Sequence, residues 1–154
     1  MLTDGRIVLG SDGGQSKFFD VRDGFGLVLA RDAGLKTAII TAERSRVVSF
    51  RAQRLKVDWV AQFARDKESV LQRCLGHFKL PASAAGYVGD DLLDLPVLTR
   101  VGFSAAPADA DPVVKRHVRY VTRLEGGRGA VREVVELILK AQGKWDSVLR
   151  RYLA

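Results

Sequence analysis

Short apolar runs alternate with amphipathic stretches along most of the chain, the pattern of a parallel sheet wrapped by helices. Residues 6–9 and 15–21 flank Ser11-Asp12-Gly13-Gly14, and Gly and Asp in that connection predict a hairpin. Residues 23–33 read as a helix, with Asp23 as its N-cap and Gly34 as its stop. The run KTAIIT at 36–41 predicts a buried strand, 44–55 a helix and 57–60 a short strand. Residues 67–78 predict a third helix, because Val70, Leu71, Cys74, Leu75 and Phe78 share one face at helical spacing. The run AAGYV at 84–88 is a second buried strand that leads directly into Gly89-Asp90-Asp91. A helix over 92–100, a strand over 101–105, a short helix over 112–117 and a short strand over 119–121 follow. The last core helix spans 129–141, with Val131, Val134, Val135 and Leu137 to Leu139 on its apolar side. Residues 1–142 therefore form one α/β domain, and 143–154 a partly helical tail.

Composition narrows the class without choosing a function. A chain of 154 residues can bury a core unaided. No apolar run approaches the roughly 20 residues that span a bilayer, and Asp4 and Arg6 interrupt any signal-peptide pattern. The single cysteine, Cys74, fits a reducing, cytoplasmic setting. The net charge is +7, from 25 basic and 18 acidic residues. The basic residues are scattered and aromatics make up only 8%, so a nucleic-acid stripe is not expected. A solvated basic surface or a small anionic substrate accounts for the charge.

Three places carry candidate chemistry. Asp90, Asp91 and Asp94 follow a buried strand at the start of a helix. Carboxylates at the carboxyl end of a parallel strand suit a hard cation such as Mg²⁺. Asp90 and Asp94, four apart, share one face of that turn. Helix capping is the competing account, and it explains one Asp better than three. Thr41, at the end of KTAIIT, can offer its hydroxyl to a phosphate oxygen or cap the next helix. Lys67 starts a helix, where a cation opposes the dipole. A phosphate ligand would give it a role, and a solvated lysine is the alternative.

Thr41, Lys67 and Gly89-Asp90-Asp91-Leu92-Leu93-Asp94, in that order, resemble the later motifs of haloacid dehalogenase phosphatases. The segments LTDGR (2–6), VRDGFG (21–26) and GGRGAVRE (126–133) are similar to the 3-deoxy-D-manno-octulosonate 8-phosphate (KDO 8-phosphate) phosphatase family. The resemblance covers residues 1–142. It implies a three-layer Rossmann-like α/β fold with a central parallel sheet, a β-hairpin and no large cap domain. It also implies a Mg²⁺-dependent hydrolase of a sugar acid phosphate in lipopolysaccharide sugar synthesis, assembled as a homotetramer in which a neighbour's C-terminal segment closes the site. Lys67 and Asp94 then belong to the catalytic machinery. Thr41, Ala42, Glu43, Arg44, Lys67 and Arg128 line the substrate. Asp90 binds the metal, with Asp91 behind it.

Two departures from the family pattern stand out. The family has a strand ending Asp-x-Asp-Gly-Val just before the LTDG segment, and its first Asp becomes an aspartyl-phosphate. Here the chain begins Met1-Leu2-Thr3-Asp4, and Asp4 matches the downstream segment instead. Met1 stands at the family's Val position, so a valine codon read as a start would produce this beginning. The 154-residue chain is accordingly expected to lack a central strand and to have little or no activity. At 40–45 the family commonly reads ITGRKS, and this chain reads ITAERS. Glu43 thus reverses a charge beside the expected substrate carboxylate. Glu43 and Arg54, eleven apart, cannot pair along one straight helix. They meet substrate or a neighbour, or are plain surface charges, and Arg44 can take over some anion contact. A nine-carbon keto-acid 9-phosphate and an inactive oligomerisation domain stay open as alternatives.

Overall fold

The computed structural model describes residues 1–153. The elements run in the order β1 (Val8–Leu9), β2 (Gln15–Ser16), α1 (Val21–Asp32), β3 (Ala38–Ile40), α2 (Arg46–Arg54), β4 (Trp59–Ala61) and α3 (Lys67–Phe78). They continue with β5 (Gly86–Val88), α4 (Leu95–Leu98), β6 (Phe103–Ala106), α5 (Pro112–Arg116), β7 (Tyr120–Val121), α6 (Ala130–Ala141) and α7 (Trp145–Arg150). β1 and β2 pair antiparallel as the expected hairpin. All other pairs are parallel, in the orders β3-β4 and β5-β6-β7. Among the described residues no ladder joins β3 to β5, so the sheet is parted there and each of these strands has one free edge.

Alternation along β5 sorts the helices into layers. Tyr87 packs on the clusters built from Leu71, Leu75 and Val97 and from Leu98, Ala106 and Val114, which places α3, α4 and α5 on its face. Gly86 points the other way, toward Ile138 of α6. On that side Leu29 and Ala30 of α1 pack with Val131, Val135 and Leu139 of α6. Side chains two apart on a strand share a face, so this division follows from the period of two. The fold is thus helix–sheet–helix, with no large cap.

Several local expectations change. Asp23 does not cap α1; Asp20 does, accepting from the amide of Arg22 at 2.6 Å, and Asp23 lies inside the helix, wholly buried. Helix α2 begins only at Arg46, with Ser45 at its N-cap. The helix expected over 92–100 divides into a tight turn, Leu92–Asp94, and the short α4. The C-terminal stretch is more than a tail. Val148 of α7 is 3% exposed and joins the α1–α6 core, with Trp145 against it. Ala154, the end of that stretch, lies outside the described residues. Among the described residues no helix is long and apolar enough to cross a membrane.

Candidate active site

The carboxyl ends of β3 and β5 carry the polar residues that the sequence singled out. β5 ends at Val88, and Gly89 turns the chain so that the 89–94 loop folds back on itself. A Cβ on Gly89 would sit 2.5 Å from the Cβ of Asp94, so only glycine permits this closure. Asp94 is wholly buried, and all of its acceptor capacity is in use. Oδ1 accepts from Lys67 Nζ and from the Tyr87 hydroxyl, each at 2.6 Å. Oδ2 accepts from the amides of Asp90 (3.1 Å) and Asp91 (3.3 Å). Asp91 caps the same turn through the amide of Leu92 at 2.7 Å. Capping therefore accounts for Asp91 and Asp94 together, more than the sequence reading allowed. Asp91 is also exposed, but its carboxylate is spent on that cap. Asp90, with a side chain 40% exposed, presents its carboxylate outward, and its Oδ2 accepts from the α-amino group of Met1 at 2.8 Å.

Lys67 is 8% exposed and begins α3, whose N-cap is Asp66. Its ammonium is not solvated, as an ordinary helix-start lysine would be. Burial works against an ionised Asp94, but the Lys67 and Tyr87 hydrogen bonds outweigh it and hold the carboxyl below the usual aspartate range. Burial, and then the same carboxylate, push the Tyr87 phenol well above its ordinary value. The result is a fixed ammonium held by a dry carboxylate, with its remaining N–H groups available to an anion.

Thr41 ends β3, where its hydroxyl oxygen accepts from the amide of Glu43 at 3.3 Å and keeps its own proton free to donate. Ala42 and Arg44 share this loop, and Arg44 is exposed. Glu43 is neither unpaired nor aimed at a neighbour. It accepts from Lys17 Nζ and, at 2.6 Å, from Gln15 Nε2, both on the hairpin. The Lys17 hydrogen bond holds Glu43 below the usual glutamate range against a smaller burial penalty. Gln15 accepts in turn from the Ser45 hydroxyl at 2.6 Å. That hydroxyl is diverted from capping α2, which explains why Ser45 makes no side-chain cap. Arg54 lies over the ring of Phe50 at 5.9 Å, away from Glu43. The charge reversal at Glu43 is thus neutralised inside the chain. The sequence alone did not reveal Lys17 as its partner, because they are 26 residues apart and the hairpin fold alone brings them together.

This network predicts a latch. A Lys17→Met variant leaves the half-buried Glu43 carboxylate without its cation and frees the hairpin from the 41–45 loop. Amide hydrogen exchange across 8–17 is expected to rise several-fold, and the swap Lys17→Glu with Glu43→Lys to restore protection. Unchanged exchange in the single variant would show that the pair does not hold the hairpin.

Arg128 stands apart from the Lys67–Asp94 pair. It lines an open cleft of about 490 Å³ with Asp4, Arg6, Phe18, Asp20, Arg22 and Gly127. The 126–129 turn is nonetheless tied toward Asp90, since the amide of Gly127 donates to the Met1 carbonyl at 2.6 Å. The chain's one Asp-x-Asp, Asp109-Ala110-Asp111, is structural: Asp109 accepts from the amide of Gly126, and Asp111 caps α5.

A divalent cation needs oxygen donors that converge on one point. Among the described residues no group of three or more His, Cys, Asp or Glu side chains converges on one point. Asp90 is a single outward carboxylate that already holds a cationic group, the Met1 ammonium. Mg²⁺ is commonly held by one or two carboxylates, with water and substrate phosphate completing its shell. The residues fit such a site as one of its carboxylate ligands.

Residues 35–134 match the family model of the haloacid dehalogenase-like hydrolases. The chain is 42% identical over 146 residues to the KDO 8-phosphate phosphatase KdsC of Escherichia coli K12, covering 95% of this chain and 78% of that protein. The crystal structure of a probable YrbI family phosphatase from Pseudomonas syringae pv. phaseolica superposes with a TM-score of 0.97 at 40% identity, covering all of this chain and 88% of that one. The Moraxella catarrhalis KDO 8-phosphate phosphatase, solved with magnesium, phosphate and KDO, gives 0.96 at 36% identity, covering 99% and 87%. With its parallel sheet, its strand-end Thr41, helix-start Lys67 and acidic 89–94 turn, and no large cap, the chain belongs to the haloacid dehalogenase-like hydrolases, in the KDO 8-phosphate phosphatase family.

Proposed function

We propose that this chain belongs to an enzyme that hydrolyses KDO 8-phosphate to KDO and phosphate with Mg²⁺. The buried Lys67–Asp94 pair beside an outward Asp90 carries the proposal. It sets a dehydrated ammonium at the start of α3 beside a carboxylate in the loop after β5, a pairing that suits a phosphoryl group and its cation. In this reading Lys67 and the Thr41 hydroxyl bind phosphate oxygens, Asp94 fixes Lys67, and Asp91 shapes the turn that aims Asp90. The bound Mg²⁺ would neutralise charge on the phosphoryl oxygens. Ala42 and Arg44 wall the same pocket, and Arg128 faces the sugar acid.

Glu43 is neutralised by Lys17, so it gives no reason to prefer a substrate other than KDO 8-phosphate. The setting is cytoplasmic synthesis of lipopolysaccharide sugar, with a small sugar acid phosphate as the sole ligand class. A homotetramer is supported by the apolar residues that the hairpin region leaves uncovered, with Leu9, Phe18 and Val21 at 72%, 68% and 78% exposure. Light scattering of the purified protein checks that assembly.

Steady-state rates test the substrate, using a chain extended by an N-terminal strand ending Asp-x-Asp-Gly-Val. KDO 8-phosphate is expected to exceed a nine-carbon keto-acid 9-phosphate by at least about tenfold in kcat/KM, the scale one mismatched contact supplies. The reverse ranking would reassign the substrate.

A further inference from the structure

Asp23 lies on the side of α1 that packs against α6, and no solvent reaches it. A buried carboxylate is costly unless its oxygens are satisfied. Among the described residues no cation lies within ion-pairing distance of it. Its partners are two backbone amides: Oδ2 accepts from Gly129 at 3.1 Å and Oδ1 from Arg132 at 3.0 Å. Both are unpaired donors at the start of α6. The residue at that N-cap is Gly129, with φ of 109°, and it has no side chain to supply. The cap therefore comes from another helix, more than 100 residues earlier in the chain. Burial raises the Asp23 carboxyl above the usual aspartate range, with the Arg132 and Gly129 amides pulling it back.

Two neighbours in the VRDGFG segment act on the same turn. Arg22 Nη2 donates to the carbonyl of Arg128 at 2.9 Å, and Asp20 holds that guanidinium at 3.0 Å. A Cβ on Gly26 would lie 3.0 Å from the Cα of Arg132, so α1 and α6 approach closely where Asp23 reaches across. One segment of α1 thus grips the turn at the carbonyl of residue 128 and at the amides of residues 129 and 132. Between these grips stands Arg128, ion-paired with Glu125 at 3.3 Å and lining the cleft it shares with the Arg6–Asp4 and Arg22–Asp20 pairs.

We propose that Asp23 is a positioning residue for Arg128: a cap supplied in trans by α1 that sets the 126–129 turn and so the direction in which Arg128 meets an anionic sugar. The ligand half of this proposal rests on the reading of Arg128 as a sugar-acid contact; the cap itself does not. It also explains why VRDGFG and GGRGAVRE occur in one chain. They are two halves of a single contact.

The test uses ¹⁵N-labelled protein and KDO as the probe. Asp23→Asn keeps the shape but replaces one acceptor with a donor that faces an N–H. Amide exchange at Gly129 and Arg132 is expected to rise at least about tenfold, with Leu75 and Val97, across the sheet, unchanged. KDO affinity should fall several-fold, and Arg128→Ala should add no further loss in the double variant. Arg22→Gln loosens the same turn from an exposed position and serves if Asp23→Asn does not fold; it should shift the Arg128 amide and weaken KDO in the same sense. Unchanged exchange at Gly129 and Arg132, or additive losses in the double variant, overturn the role given to Asp23. If Arg128→Ala leaves KDO affinity unchanged while exchange rises in Asp23→Asn, the sugar contact is refuted and only the cap survives.

Discussion

Replacing Lys67 by Met is expected to destabilise the fold by about 3–5 kcal/mol, the cost of leaving a buried charge without its partner. Asp94 is fully enclosed, and the variant leaves it only the Tyr87 hydroxyl and two backbone amides. Methionine fills the space of the lysine stem, so the loss reports charge and not a cavity. Urea denaturation of Lys67→Met, Asp94→Asn and the double variant measures the coupling. The double variant should lose clearly less than the sum of the singles. Simple additivity would mean that the two residues do not act as a pair.

The same contact carries a pH dependence. The Asp94 carboxyl is held below its unfolded value, so the stability it contributes is complete above that unfolded value. It is lost as pH falls through the lower, folded value. In Lys67→Met the strongest force opposing burial is removed and the carboxyl rises. The folded and unfolded values then lie closer together, so Asp94 costs less stability on acidification and the deficit of the variant relative to the parent protein should narrow as pH falls. Melting curves at successive pH values decide this.

The second large effect concerns catalysis. The polypeptide of residues 1–154 is expected to hydrolyse KDO 8-phosphate with Mg²⁺ scarcely above a blank. An N-terminal extension carrying a strand that ends Asp-x-Asp-Gly-Val should raise the rate by at least about 10⁴-fold, the scale on which loss of a nucleophile is felt. Three observations motivate this. The chain's one Asp-x-Asp is occupied in capping and loop contacts. β3 and β5 each keep a free edge, and between them they bracket the site. The Met1 α-amino group lies on Oδ2 of Asp90, the residue proposed to bind the metal, and in the extended chain it becomes a peptide nitrogen without charge. Mg²⁺-dependent turnover by residues 1–154 comparable to that of the extended chain would refute the expectation. Failure of both chains would point to an inactive domain.

The elements and their order were legible in the chain itself. Apolar runs such as AAGYV and KTAIIT were legible as strands, but not as buried ones: β3 buries only Ile40, β5 is the shorter Gly86–Val88 with no residue fully buried, and each has a free edge. The 3.6-residue spacing of Val70, Leu71, Cys74 and Leu75 permits only a helix with one inward face. The local chemistry of strand-end Thr41 and of the acidic 89–94 turn was legible for the same reason, since each depends on residues next to one another. Boundaries were less so. The start of α2 moved because the Ser45 hydroxyl bonds to Gln15 instead of capping, and Asp20 displaced Asp23 as the cap of α1.

What the sequence determined by itself was therefore the class of fold, its order of elements and the residue types at the strand ends. Tertiary structure alone decided which charges meet. Lys67 pairs with Asp94, Glu43 with Lys17, and Asp23 with the start of α6, across separations of 27, 26 and more than 100 residues. Periodicity and propensity act over a few residues and carry no information about such pairs. Ion pairing and capping act through space, over a few ångströms, and become defined only when packing has brought distant segments together.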